Sequence, residues 1–277
     1  MHTTRSADGT TIAFDLLGSG TPIVLVSGAS CTRGVHDALA GLLADGHTVL
    51  NYDRRGRGDS GDTSPYSVDR EIEDLAAVLG EAGGSAAVFG NSSGAVLALR
   101  AAAAGLPITR LVLWEPPFQL DAEAPERARA YRADLAACLA EGRRGDAVAL
   151  FLRSVGMPGE MLAQLRRSPG WTALEAVAPT LAYDAAVLAD GRPPAELAGV
   201  EVPTLVLTGS ETGAWAPAAA AALLDLLPSA RHTVLDGQRH DVAWDVLTPH
   251  LRSFLDQGVS RRSNGSGAPD GAAGAFR

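Results

Sequence analysis

Four short, mostly apolar runs, residues 23–26 (IVLV), 48–52 (TVLNY), 86–89 (AAVF) and 111–114 (LVLW), are each bounded by glycine or polar residues. None alternates strictly between apolar and polar. A continuous apolar run of this length suits a strand covered on both faces, as in a parallel sheet. Helical periodicity fills the segments between them, at 35–44, 68–80 and 93–104. In 68–80, Ile72, Leu75, Ala76 and Leu79 form one stripe opposite an acidic face, whereas 93–104 is apolar almost all round, as in a buried helix. Strands alternating with helices predict an α/β fold with a doubly wound, mostly parallel sheet. Ahead of it, residues 2–16 read as a hairpin turning at Asp8-Gly9.

The alternation stops after Trp114. Residues 116–199 show no strand pattern, only helical segments such as 124–139 and 146–155. It resumes with a strand at 204–207, a helix at 217–227, a strand at 232–235 and a helix at 244–255. The expected organisation is therefore a core of 1–115 and 200–256 interrupted by a helical cap insertion, 116–199. The remaining 257–277 is rich in Gly, Ser and Ala without periodicity and is expected to be a disordered tail.

Composition narrows the function. A chain of 277 residues, 46% of them hydrophobic, can fill a substantial core. A net charge of -9 argues against a nucleic-acid partner and against charge-driven binding to an anionic membrane. No apolar stretch is long enough to span a bilayer, and the polar start "MHTTRSADGT" has no secretory-signal pattern. The expectation is a cytoplasmic protein whose partner is a small-molecule substrate. Cys31 and Cys138 make neither a zinc spacing nor a disulfide framework. Every basic residue is arginine, so no Schiff base or lysine base can form. No cofactor or metal is expected.

One motif carries chemistry. Gly90-Asn91-Ser92-Ser93-Gly94 is a G-x-S-x-G in which the glycines stand two residues to either side of Ser92. It closes a predicted strand and opens a predicted helix. A serine on so tight a turn has strained dihedrals, and side chains at the flanking glycines would collide, as in a nucleophile elbow. By contrast, "GRGDSG" (56–61) matches G-x-G-x-x-G after a strand, yet Asp62-Thr63-Ser64-Pro65 follows where a dinucleotide site would need a helix.

The order of elements, the elbow, the "DRRGRGDSG" loop and the late "GQRHD" together resemble the α/β-hydrolase superfamily, over about residues 9–255. The resemblance implies a serine hydrolase with a helical cap over its active site, and a structural role for the 53–61 loop, with Asp53 and Arg55 in a hydrogen-bonded corner. The chain order nucleophile, acid, histidine used by this fold selects His240, on the loop after the last strand, as general base. His36, at the start of the helix after the first buried strand, is its rival; His47 and His232 fall in or beside strands. The oxyanion donors implied are the backbone N–H groups of Ser93 and Ala29, with the Ser30 hydroxyl as an additional candidate. The family usually has His-Gly ahead of Ala29; this chain has Ser27-Gly28.

The acid has two places in this fold. After the strand 204–207, "TGSETGAW" offers Glu211, one residue earlier than the usual spacing, where Thr212 stands instead. At the end of the preceding strand, "LVLWEPPF" offers Glu115 before a proline pair. Glu115 is preferred and Glu211 is the alternative. Phe118, Trp171 and Tyr183, with Tyr131, Met157 and Met161, are candidates to line an apolar pocket, most of them packing the cap and a minority touching substrate. The implied activity is hydrolysis of a small to medium ester, lactone or thioester through a Ser92 acyl-enzyme. Two other readings keep the fold: a ring-forming or eliminating biosynthetic enzyme, and a ligand-binding protein with a relic triad.

Overall fold

The computed structural model describes residues 1–257. Eight strands form one sheet: β1 (His2–Arg5), β2 (Thr11–Leu17), β3 (Thr21–Val26), β4 (His47–Tyr52), β5 (Ala86–Asn91), β6 (Ile108–Trp114), β7 (Thr204–Gly209) and β8 (Ala230–Leu235). Their order is β1-β2-β4-β3-β5-β6-β7-β8. The β1–β2 and β2–β4 pairs are antiparallel and all others are parallel.

Helices α1 (Asp37–Leu43), α2 (Val68–Glu81) and α3 (Ser93–Ala103) connect the first strands. The insertion holds α4 (Ala124–Ala140), α5 (Arg144–Ser154), α6 (Gly159–Leu165), α7 (Trp171–Val177) and α8 (Leu181–Leu188). Finally, α9 (Trp215–Leu226) joins β7 to β8, and α10 (Trp244–Leu255) follows β8.

Why the strands are apolar without alternation is visible in the two core clusters. Successive residues of a strand point to opposite faces. Val24, Val88, Leu111 and Val206 pack with α2, α3 and α9 on one face. Ile23, Leu25, Phe89, Val112 and Leu207 pack with α1 and α10 on the other. Each fully buried aliphatic side chain stabilises the fold by about 1.5–3 kcal/mol, so both layers are needed to hold the sheet.

The expected elements recur within a few residues. The region expected as a helix at 35–44 opens as a 3-10 turn (Arg33–His36) before α1. α9 starts two residues ahead of Pro217, because a proline in the first turn removes only an N–H that has no partner within the helix. α2 begins where Ser67 caps the N–H of Arg70, with Asp69 and Glu71 in the first turn. Helix α2 thus opens only after residues 62–67, so "GRGDSG" does not lead directly into a helix.

The insertion builds its own small core from Leu135, Val148, Leu152, Trp171 and Leu181. It is joined to the main domain through α8, whose Val187 sits in the cluster of α2 and α3. Among the described residues, no helix is long and apolar enough to cross a membrane, and no group of three or more His, Cys, Asp or Glu is placed to hold a metal ion. Apart from Gln257, the expected tail at 257–277 lies outside the described residues.

Candidate active site

Ser92 sits between β5 and α3 with φ 54° and ψ -126°, a region that side-chain-bearing residues rarely occupy. Its N–H donates to the Trp114 carbonyl at 2.9 Å. The flanking glycines are needed for space. A Cβ on Gly90 would lie 2.5 Å from the Gly94 carbonyl oxygen, and one on Gly94 would lie 2.4 Å from that of Val26. Both obstacles are backbone. Gly94→Ala is expected to destabilise the protein by at least about 1–3 kcal/mol, read as a fall in Tm, whereas Gly41→Ala, which meets nothing within 4 Å, should not.

Glu115 follows β6 immediately, with φ 45°. Its backbone N–H donates to the Leu207 carbonyl at 3.0 Å, so β7 holds the strand end in place. The side chain is wholly buried. One carboxylate oxygen accepts the Gly209 N–H at 2.8 Å, and the other lies 2.7 Å from His240 Nδ1. The bond to the carboxylate puts the imidazole proton on Nδ1 and leaves the lone pair on Nε2. The indole N–H of Trp114 also donates to the His240 carbonyl at 2.9 Å. Trp114 therefore touches both the serine and the histidine, and Glu115 beside it touches the histidine. His240 is 47% exposed and stands edge-on to Trp215 at 5.8 Å; Ser92 is partly exposed.

Glu211 stands apart from this group. It is exposed, its nearest cation is Arg239 at 3.9 Å, and its N–H donates to the Gln238 carbonyl.

The loop after β3 is held against the elbow. The Gly28 N–H donates to Asn91 Oδ1 at 3.1 Å, and His36 Nε2 lies 3.0 Å from the same oxygen. Because that oxygen only accepts, His36 carries its proton on Nε2. Since Gly28 is engaged, the next N–H along the loop is that of Ala29. Ser30 follows with φ 60°, and its hydroxyl is buried without a hydrogen-bond partner among the described residues.

His36 itself is fully buried behind the elbow, between Phe89 and Trp244. Burial pushes its pKa down to about 4. The unfolded chain takes up this proton near the ordinary value of 6.5, the folded protein only near 4. Stability is therefore lost as pH falls through that window, by about 3 kcal/mol from this residue alone. His36→Gln should flatten this part of the pH–stability curve, as measured by urea unfolding of both proteins between pH 7 and pH 4.

The expected pocket aromatics separate. Phe118 is buried in the core cluster with α3. Trp171 lies in the core of the insertion; its indole donates to Glu175 at 2.9 Å under the Arg166 guanidinium. Tyr131 and Met157 pack against that same core, and Met161 is exposed. Tyr183 stacks flat on Tyr66 at 3.8 Å and donates to Asp62 at 2.7 Å. Asp53 and Arg55 are both buried but not paired with each other. Asp53 accepts the N–H groups of Arg33 and Asp59, and Arg55 pairs with Asp74 and Asp8. Sequence reasoning missed Asn91, Gly209 and the cluster of Asp184 with Arg54 and Arg57. The signals were faint: an acid inside the apolar "LAYDAAVL", and three arginines crowded into "DRRGRG".

Comparison with known proteins speaks to the fold. The sequence model of the alpha/beta hydrolase family matches residues 23–250. The chain belongs to that family. This α/β-hydrolase is 51% identical to an alpha/beta hydrolase from Sphaerobacter thermophilus of known structure, with a TM-score of 0.85, covering 91% of this chain and 99% of that one. A hydrolase from Pseudomonas aeruginosa is 25% identical with a TM-score of 0.74, covering 92% and 97%. Polyketide synthase ThaQ of Burkholderia thailandensis is 29% identical over 272 residues, which cover 91% of this chain; this α/β-hydrolase spans only 12% of that synthase. The family and these two structures support activity of the hydrolase type.

Proposed function

We propose that this α/β-hydrolase cleaves a small to medium ester, lactone or thioester through an acyl-enzyme on Ser92. The observation that carries the reading is the bond between the buried Glu115 carboxylate and His240 Nδ1 at 2.7 Å. His240 Nε2 takes the Ser92 hydroxyl proton as Oγ bonds to the substrate carbonyl carbon. The carbonyl oxygen gains negative charge, which the N–H groups of Ala29 and Ser93 hold. The imidazolium then gives its proton to the leaving oxygen or sulfur as that bond breaks. Water repeats the sequence on the acyl-enzyme and releases the acid. Glu115 keeps its charge throughout and stabilises the imidazolium.

The test is labelling with a fluorophosphonate, followed by a panel of p-nitrophenyl esters, lactones and acyl thioesters. The expected result is one phosphonyl group per chain, on Ser92, and turnover that the label abolishes. Labelling elsewhere, or unimpaired turnover after labelling, overturns the reading.

The likeness to part of a polyketide synthase favours a second reading, in which a hydroxyl of the acyl chain takes the place of water. The product would then be a ring, lighter by one water than the hydrolysed acid. Mass spectrometry on a hydroxyacyl thioester separates the two.

A further inference from the structure

We propose that Asp184, carried by α8 of the helical insertion, is a positioning residue for the oxyanion hole. The proposal rests on the acyl-enzyme reading above. Both segments assigned there to the hole end on this one carboxylate. From the elbow, the Ser93 hydroxyl donates to Asp184 Oδ1 at 2.8 Å. From the other side come two arginines of the loop after β4. Arg54 Nη1 donates to Oδ1 at 2.8 Å, and Arg57 Nη2 reaches Oδ1 at 2.9 Å and Oδ2 at 2.8 Å.

The arginines pass this anchorage to the loop after β3. Arg57 Nη1 donates to the Gly28 carbonyl at 2.6 Å and to that of Cys31 at 3.3 Å; Arg54 Nη1 donates to the Ser27 carbonyl at 3.3 Å. The Gly28 carbonyl and the Ala29 N–H belong to one planar peptide and point in opposite directions. Holding the Gly28 oxygen therefore aims the Ala29 N–H. On the preceding peptide, the Gly28 N–H is fixed by Asn91. The direction of the Ala29 donor thus depends on Arg57, and Arg57 on Asp184.

The cluster is fully enclosed. Arg54 and Arg57 are 1% exposed and Asp184 is 3% exposed. Glu71 accepts from Arg54 at 2.6 and 2.8 Å, so two guanidinium groups face two carboxylates and the charges balance. Burial alone would push the Asp184 carboxyl up, but Arg57 and Arg54 outweigh it and hold the group below the usual carboxylate range. A hole built this way needs no reorganisation when the oxyanion forms, because its donors are already oriented by charged hydrogen bonds. It also makes α8 part of the catalytic apparatus, since without the helical insertion the two donor segments lose their common anchor.

The test compares Asp184→Asn and Arg57→Lys with the wild-type chain on one p-nitrophenyl ester, well below their melting temperatures. Rates are taken per Ser92 labelled at the end-point by fluorophosphonate, so unfolded protein does not count. Both variants are expected to lose about 10- to 100-fold in kcat with KM changed by less than about threefold. Affinity for a trifluoromethyl ketone, whose serine adduct carries an oxyanion, should fall by the same factor as kcat/KM. If kcat per labelled site stays within about twofold of wild type, or ketone affinity is unchanged while Tm falls, Asp184 only braces the fold and the proposal is wrong. Should Asp184→Asn not accumulate as folded protein, Arg57→Lys decides alone, because it keeps the buried charges balanced. Absence of label on wild-type Ser92 is a different outcome: it overturns the acyl-enzyme reading, and the oxyanion hole with it.

Discussion

Ser92→Ala should lower ester turnover by roughly 10⁴-fold or more, with Tm unchanged or slightly raised. Ser92 stands at the N-cap of α3, where a serine hydroxyl ordinarily accepts a backbone N–H, yet it makes no such bond. Deleting that oxygen removes no helix cap, so stability does not depend on it. The strained φ remains, because alanine keeps the Cβ. Ser93→Ala makes the contrast. It retains the backbone N–H and loses the hydroxyl bond to Asp184. Its expected loss is only about tenfold, the scale of a disturbed rather than an absent oxyanion donor. Steady-state kinetics and thermal unfolding of both variants check the pair. Equal losses, or a larger one in Ser93→Ala, would move the nucleophile away from Ser92.

Glu115→Gln should lower kcat by roughly 10²–10⁴-fold with little change in KM, while Glu211→Gln costs less than about tenfold. The argument is one of donors and acceptors. Both Glu115 oxygens accept, one from Gly209 N–H and one from His240. A glutamine has a single oxygen for two donors. If it keeps Gly209, its amide NH₂ faces His240 Nδ1, which must then become an acceptor. The imidazole proton moves to Nε2, and the base is lost. If the glutamine turns the other way, its NH₂ opposes the Gly209 N–H in a fully buried site, and stability falls. Glu211 has no comparable engagement, with a 3.9 Å approach to Arg239 and an exposed side chain. Measuring kcat, KM and Tm of both variants on one ester separates the two glutamates. A severe loss in Glu211→Gln beside a mild one in Glu115→Gln reverses the assignment.

Much of the fold was legible in the chain because the physics there is local. A strand buried on both faces must be apolar throughout, and a helix lying on a sheet must repeat its apolar positions every three to four residues. Residues 23–26, 86–89 and 111–114 therefore declare their environment before it is seen, and all lie within strands. The elbow is legible for the same reason, since Gly90 and Gly94 answer steric demands made by backbone within a few residues or by the adjacent strand end. The exposed or self-contained parts were less distinct. α6 to α8 are short; α6 and α7 lean on α5, and α8 is shared between α4 and the α3 of the main domain, so their sequences carry no sharp boundary.

What the tertiary structure alone decided is which distant charges meet. Glu115 and Glu211 both occupy places that the resemblance allows, and only the meeting of β6, β7 and the loop after β8 brings one of them to within 2.7 Å of a histidine 125 residues away. His36 reads in sequence as a rival base, whereas the fold closes Phe89 and Trp244 around it and leaves it neutral behind the elbow. Trp171, an aromatic in the right region, turns into the core of its own insertion. Asp184 is the extreme case. Nothing nearby in "LAYDAAVL" calls for an acid, and the need arises only when α8 is laid beside Arg54 and Arg57, about 130 residues earlier in the chain. Local periodicity records how a segment meets an apolar layer. A buried charge is instead compensated by whichever partner the fold brings to it across space, and that partner leaves no trace in the spacing of its neighbours.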